Sequence, residues 1–207
     1  MTKQTKSNLI TYGGIIIAYI LIQIALSTGH VSSLMEGLLV PVCTYVILAV
    51  SLNLTVGILG ELSLGHAGFM CIGAFSSAFF SKCMQSVIPV ATLRFFLALL
   101  VGAAVAAVFG FLIGIPVLRL KGDYLAIVTL AFGEIIKNFM NAIYVGKDQS
   151  GFHFSMKDTI ALGLDESGEV IIKGAQGITG TPHDSNFTIA VVLILIAVFI
   201  ITNFVQS

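Results

Sequence analysis

Six apolar stretches, most of them as long as a bilayer is thick, decide what this chain can become. They run Asn8–Leu26, Leu34–Leu59, Leu62–Phe80, Phe95–Ile115, Tyr124–Tyr144 and Phe187–Phe204, each near the ~20 residues that a helix needs to cross hydrocarbon. Inside a bilayer every backbone N–H and C=O must find a partner in its own segment, so helices are the expected spanning form. Hydrophobic residues make up 57% of the chain and charged residues 10%, against roughly 25% charged in soluble domains. A soluble fold of this length could not clothe its surface from that supply. The expected fold is all-α, a polytopic integral membrane bundle. The formal net charge is zero, which gives nucleic acid nothing to bind.

The first stretch follows Lys3 and Lys6 and reaches Ser27, as a signal peptide might. At about 19 residues it exceeds the roughly 7–15 of a signal peptide's apolar region, and it reads as a retained first helix. Only Gly60 and Glu61 separate the second and third stretches, and Gly57, Gly60, Gly65, Gly68 and Gly73 crowd that junction. The expectation is a broken helix or tight hairpin near Gly57–Gly68, since irregular backbone survives at membrane depth only against protein or water.

Pro116 to Glu134 carries the densest local information. An apolar helix ends at a proline, Arg119 and Lys121 occupy a tight connection, and a helix restarts behind Asp123, placed to cap it. With the N-terminus inside, the short inner segments hold Lys3, Lys6, Arg119 and Lys121, and the short outer loop holds Lys82 and Arg94. Cation placement therefore favours a cytoplasmic N-terminus by a small margin. Residues 145–186 form the one soluble-looking segment, with more acids than lysines. Within it Thr159–Leu162 and Glu169–Ile172 flank Asp165-Glu166-Ser167-Gly168, the pattern of a small β-hairpin.

The wording of two stretches resembles the LivM-type permeases of branched-chain amino acid ABC transporters: Pro116 to Glu134, and Leu62-Ser63-Leu64-Gly65-His66-Ala67-Gly68-Phe69 continuing to Ile72-Gly73-Ala74-Phe75. Gly174 to Pro182 is similar to that family's extracytoplasmic Gly/Pro loop, with Ala175 and Gln176 departing from the usual wording. The resemblance implies an importer permease subunit in the cell inner membrane, moving branched-chain or related amino acids. It implies as partners a second permease subunit, cytoplasmic ATPase subunits and an extracytoplasmic substrate-binding protein. Family members continue past the helix matching Phe187–Phe204 with an ATPase-docking loop and further spans. Residues 1–207 are therefore expected to form one membrane permease domain, matching the N-terminal two-thirds of such a protein.

Two sets of residues are candidates for function. Asn53, Glu61, Ser63 and His66 are polar groups at the glycine-rich junction, and Glu134, Asn138 and Asn141 form a polar stripe at helical spacing beside Lys137. The purely apolar part of that fifth stretch is about ten residues, or ~15 Å of helix. The stripe therefore either lines a water-filled pathway or marks a helix that emerges early, with Glu134 and Lys137 as an i,i+3 pair. Phe132-Gly133-Glu134-Ile135 is family wording and inclines the reading towards the pathway. Gly102, Ala106, Gly110 and Gly114 recur every fourth residue, a face on which a neighbouring backbone can come close.

There is no G-x-x-x-x-G-K-[ST], no H-E-x-x-H and no nucleophile elbow. The expectation is accordingly no enzyme, no cofactor and no metal site, with ATP hydrolysed on another polypeptide. Cys43, Cys71 and Cys83 read as packing thiols. A sugar or nucleoside permease of the same superfamily is an alternative, as is an ion-coupled secondary transporter using Glu134, Glu61 or His66.

Overall fold

The computed structural model describes residues 3–28, 31–58, 60, 63–117, 119–165, 168–182 and 185–206. Among the described residues there are six α-helices: α1 (Lys3–Ser27), α2 (Ser33–Asn53), α3 (His66–Cys83), α4 (Ala91–Val117), α5 (Asp123–Ala142) and α6 (Phe187–Gln206). Between α5 and α6 lie three short strands, β1 (Tyr144–Lys147), β2 (Phe152–Ser155) and β3 (Glu169–Lys173). Among the described residues five helical segments are long and apolar enough to cross a membrane: Leu9–Ser27, Ser33–Ile58, Ala91–Val117, Asp123–Ala142 and Phe187–Val205. The chain divides into two compact units, residues 1–58 with 185–207, and residues 59–184.

In the first unit α2 and α6 pack around Cys43, Ala190, Val191, Ile194 and Val198. These are small or β-branched side chains that mesh closely where lipid supplies no hydrophobic drive between helices. Tyr19 of α1 joins through its ring, stacked on Phe187 at 5.6 Å between centroids, and through its hydroxyl, 3.2 Å from Thr188 Oγ1. Ser32 caps α2, its hydroxyl accepting from the Met35 N–H. At its other end α2 loosens into a π-helical turn, Leu54–Ile58. The helical run thus ends within the glycine-rich junction, and α3 restarts only at His66.

In the second unit α3 packs on α4 and α5, and the sheet closes over one end of α3. The strand order is β2-β1-β3, antiparallel throughout. Val145, Ile171 and Ile172 turn inward onto Cys83, Phe75 and Phe79. The hairpin expected between Thr159–Leu162 and Glu169–Ile172 is corrected here: Ile160–Leu162 is a 3-10 turn, and Glu169–Lys173 pairs with Tyr144–Lys147 instead. Of its expected turn, Glu166 and Ser167 lie outside the described residues.

The hairpin that forms joins β1 to β2 through Asp148-Gln149-Ser150-Gly151. Asp148 accepts from the N–H groups of Ser150 (2.7 Å) and Gly151 (3.0 Å), and Gly151 takes a φ of 137° that only glycine adopts without strain.

The expected cap on α5 also differs. Gly122 holds the N-cap position at φ 58°, and Asp123 is the first helical residue with no capping bond from Gly122's position. Its carboxylate favours the helix start through the dipole alone.

Candidate functional site: a helix between two backbone seams

Helix α3 is held on both sides by main chain. On the α5 side, a β-carbon at Gly65 would stand 2.6 Å from the Thr129 carbonyl oxygen, and one at Gly68 2.9 Å from Gly133 Cα. On the α4 side, a β-carbon at Gly102 would stand 2.7 Å from the Gly73 carbonyl oxygen and 3.0 Å from Ser77 Cβ. Further along α4, Ala106 Cβ lies 3.9 Å from the Gly73 position, and the Gly110 position is 3.7 Å from the Phe69 ring. The fourth member of that row, Gly114, faces open space within the described chain. Where side chains are absent the two backbones approach, and dispersion over many close atom pairs replaces knob-into-hole packing.

Thr129 completes the α3–α5 seam, and sequence reasoning missed it. Its hydroxyl accepts the Leu64 N–H at 3.0 Å and donates to the Ala126 carbonyl at 3.0 Å. Leu64 lies in the irregular stretch before α3, where no helix pairs its N–H. Thr129 supplies that partner from a neighbouring helix while itself almost fully buried. The sequence signal was a single hydroxyl inside the apolar run Ile127-Val128-Thr129-Leu130.

The junction candidates separate. Asn53 is the last residue of α2, exposed, with its carboxamide lying across Gly57 in the first unit. Ser63 and His66 belong to the second unit, half-buried immediately before and at the start of α3. Glu61 lies outside the described residues.

The α5 stripe is on one exposed face. Glu134 and Lys137 pair at 3.0 Å with both side chains more than half exposed, and Asn138 and Asn141 are exposed in line with Glu134. Ile136, two residues along and so on the opposite side, is buried, and Thr129 and Gly133 meet α3. The stripe therefore points away from the seam.

The sheet end carries the remaining charge. Lys82, at the end of α3 and only 6% exposed along its side chain, bridges Glu169 of β3 at 3.0 Å and donates to the Thr179 carbonyl at 2.7 Å. Arg94, buried at the start of α4, donates to the Ile88 carbonyl at 2.9 Å and steadies the α3–α4 turn. Gly174 brings its backbone against the Asn141 carbonyl and the Tyr144 ring at φ 55°. The departing residues Ala175 and Gln176 sit exposed on the 3-10 turn beside it. The Asp148 carboxyl is held down at about 2. The Ser150 hydroxyl is the largest cause, with the Ser150 and Gly151 N–H groups and His153 (2.9 Å) adding to it. Cys43 and Cys83 are buried and Cys71 half-buried, all as free thiols. Among the described residues no three His, Cys, Asp or Glu side chains converge as metal ligands would.

A helix gripped on two sides by main chain, among apolar helices of membrane length, is the construction of a polytopic membrane protein. The chain belongs to the family described as branched-chain amino acid transport system / permease component, whose model matches residues 34–206. It is 34% identical over 172 residues to the high-affinity branched-chain amino acid transport system permease protein LivM of Escherichia coli strain K12, and equally so to that of Salmonella typhimurium strain LT2. Each alignment covers 78% of this chain and 39% of the relative, so the chain spans about two-fifths of the relatives' length. No solved structure gives a significant match.

Proposed function

We propose that this chain acts as a transmembrane permease subunit of an ABC importer for branched-chain or closely related aliphatic amino acids. The observation that carries the reading is the family match over residues 34–206, which includes the α3 seams and the α5 stripe. In this reading the N-terminus is cytoplasmic and residues 145–186 face the extracytoplasmic side of the inner membrane. A binding protein delivers the amino acid there. A second permease subunit completes the pathway, and two cytoplasmic ATPase subunits hydrolyse ATP.

The chain's own contribution is mechanical and solvating. Glycine seams let α3 pivot against α4 and α5 without unlocking interdigitated side chains, since a few tenths of an ångström of slide costs only dispersion. Glu134, Asn138 and Asn141 line the water-facing side of α5, where a lipid-facing stripe would be strongly unfavourable. Asn53, Glu61, Ser63 and His66 supply the polar side chains of the glycine-rich junction in this reading. The substrate passes small and apolar side chains, and no covalent chemistry occurs here.

The reading is tested by deleting the gene and measuring uptake at low substrate concentration. Uptake of leucine, isoleucine and valine should fall sharply and return with a plasmid copy, while sugar and nucleoside uptake stays unchanged. Intact amino acid uptake with impaired sugar or nucleoside uptake would move the chain to the neighbouring permease class.

A further inference from the structure

Between the end of α3 and the sheet lies an open cavity of about 470 Å³ whose lining includes Lys82, Lys147, Asp148 and Glu169, two cations and two carboxylates. Three of the four already hold a partner. Lys82 is held by Glu169 Oε1 and the Thr179 carbonyl, and Asp148 by Ser150, Gly151 and His153. Lys147 and Glu169 face each other across β1 and β3 in register, yet among the described residues they form no ion pair with each other. The ammonium of Lys147 lies over the Phe152 ring, 5.7 Å from its centroid. Glu169 uses Oε1 for Lys82 and remains 71% exposed. One wall of the cavity is apolar, formed by Ile171 and Cys83, both buried.

A cation and a carboxylate therefore stand on adjacent strands, separated by more than contact distance, above an apolar wall. Because the lining charges cancel, a ligand with net charge would leave the cavity unbalanced, and one carrying both signs would not. We propose that this cavity is a docking site for a zwitterionic aliphatic α-amino acid, with its carboxylate on Lys147, its ammonium on the outward oxygen of Glu169 and its side chain against Ile171 and Cys83. The site deepens the transport reading above and rests on it, as the place where the amino acid first meets the permease. Gln85 and Gln149, also in the lining, offer amide donors and acceptors around the same two charges. Charge-assisted bonds of this kind are the strong ones, and each fixes one end of the ligand.

The test uses the complete transporter, with its partner subunits, in lipid nanodiscs without the binding protein. Equilibrium binding is measured for radiolabelled L-leucine, for L-leucinamide, which lacks the carboxylate, and for 4-methylpentanoate, which lacks the ammonium. Lys147→Gln should weaken leucine binding about tenfold or more, Lys147→Arg should restore most of it, and leucinamide should be indifferent to either change. Glu169→Gln should weaken leucine and leucinamide and spare 4-methylpentanoate.

Equal weakening of all three ligands by Lys147→Gln would reveal a merely structural role and overturn the site. So would leucine binding unchanged by both variants, or no leucine binding by the wild type. ATP-driven leucine uptake by the same subunits, reconstituted in proteoliposomes with the binding protein, separates the two levels. Uptake present with the selectivity pattern missing sinks the site alone; uptake absent sinks the transport reading beneath it.

Discussion

Replacing Gly102 by alanine tests the α3–α4 seam with a single methyl group. That β-carbon would stand 2.7 Å from the Gly73 carbonyl oxygen and 3.0 Å from Ser77 Cβ, about 0.7 Å inside ordinary van der Waals distance for the closer contact. A carbonyl inside a helix cannot swing aside alone, because its own hydrogen bond fixes it, so α3 must shift as a body. Overpacking of this kind costs about 1–3 kcal/mol. At Gly114, in the same row but facing open space, the same change meets nothing and gains up to ~1 kcal/mol of helix propensity. Both variants receive the propensity term, so the difference between them isolates the clash at about 1–3 kcal/mol.

The three native thiols provide the assay. Cys43 and Cys83 are buried and Cys71 half-buried, so a thiol-reactive fluorophore reports unfolding during a thermal ramp of the purified chain. At about 2–4 °C per kcal/mol for a chain of this size, Gly102→Ala should unfold several degrees below Gly114→Ala. Gly102→Leu should be lower still. Equal midpoints for the two alanine variants would mean that α3 and α4 do not meet at Gly73 and Gly102.

Thr129→Val removes the acceptor of the Leu64 N–H while keeping side-chain volume, and should lower stability by about 1 kcal/mol; Thr129→Ser should retain most of the wild-type midpoint in the same thermal assay. For topology, Ser167→Cys on a cysteine-free background should label with an impermeant maleimide from outside intact cells, and Thr5→Cys should be protected; the reverse pattern inverts the orientation. The Asp148 carboxyl should titrate near 2 by NMR, and Ser150→Ala should move its midpoint back towards the ordinary 3.8. Because the folded value is depressed, the β1–β2 turn keeps this contribution above about pH 4 and loses it as pH falls towards 2. A midpoint near 3.8 in the wild type would remove it.

The membrane helices were legible because each needs only length and apolarity, and Asn8–Leu26, Phe95–Ile115 and Phe187–Phe204 all fall inside α1, α4 and α6. The break at the glycine-rich junction was legible for a similar local reason, since glycines weaken a helix wherever they cluster. The third segment differs: the apolar run Leu62–Phe80 predicts a span, and the helix runs His66–Cys83, shorter and outside the set of long apolar helices.

Partners chosen at a distance were harder to read. The Asp165–Gly168 turn signal drew Glu169–Ile172 towards its sequence neighbour. Tertiary burial of Ile171 and Ile172 against Cys83, Phe75 and Phe79 set it beside Tyr144–Lys147 instead. The Asp148–Gly151 turn carries an equally good signal, masked because the apolar run continues to Tyr144, two residues past the end of α5. Thr129 and Lys82 act on residues 65 and 97 positions away, which no local pattern encodes. Sequence offers the polar residues of the junction and the α5 stripe as candidates, but neither Thr129 nor the division of Asn53 from Ser63 and His66 between two units is legible in it.

The energy source of transport tests the central claim most directly. The chain, co-reconstituted in proteoliposomes with its permease, ATPase and binding-protein partners, should accumulate radiolabelled leucine only when ATP is supplied on the ATPase side, and a protonophore should leave that accumulation unchanged. Leucine uptake by the chain without ATP that collapses with the proton gradient would contradict the account and assign the chain to the ion-coupled carriers.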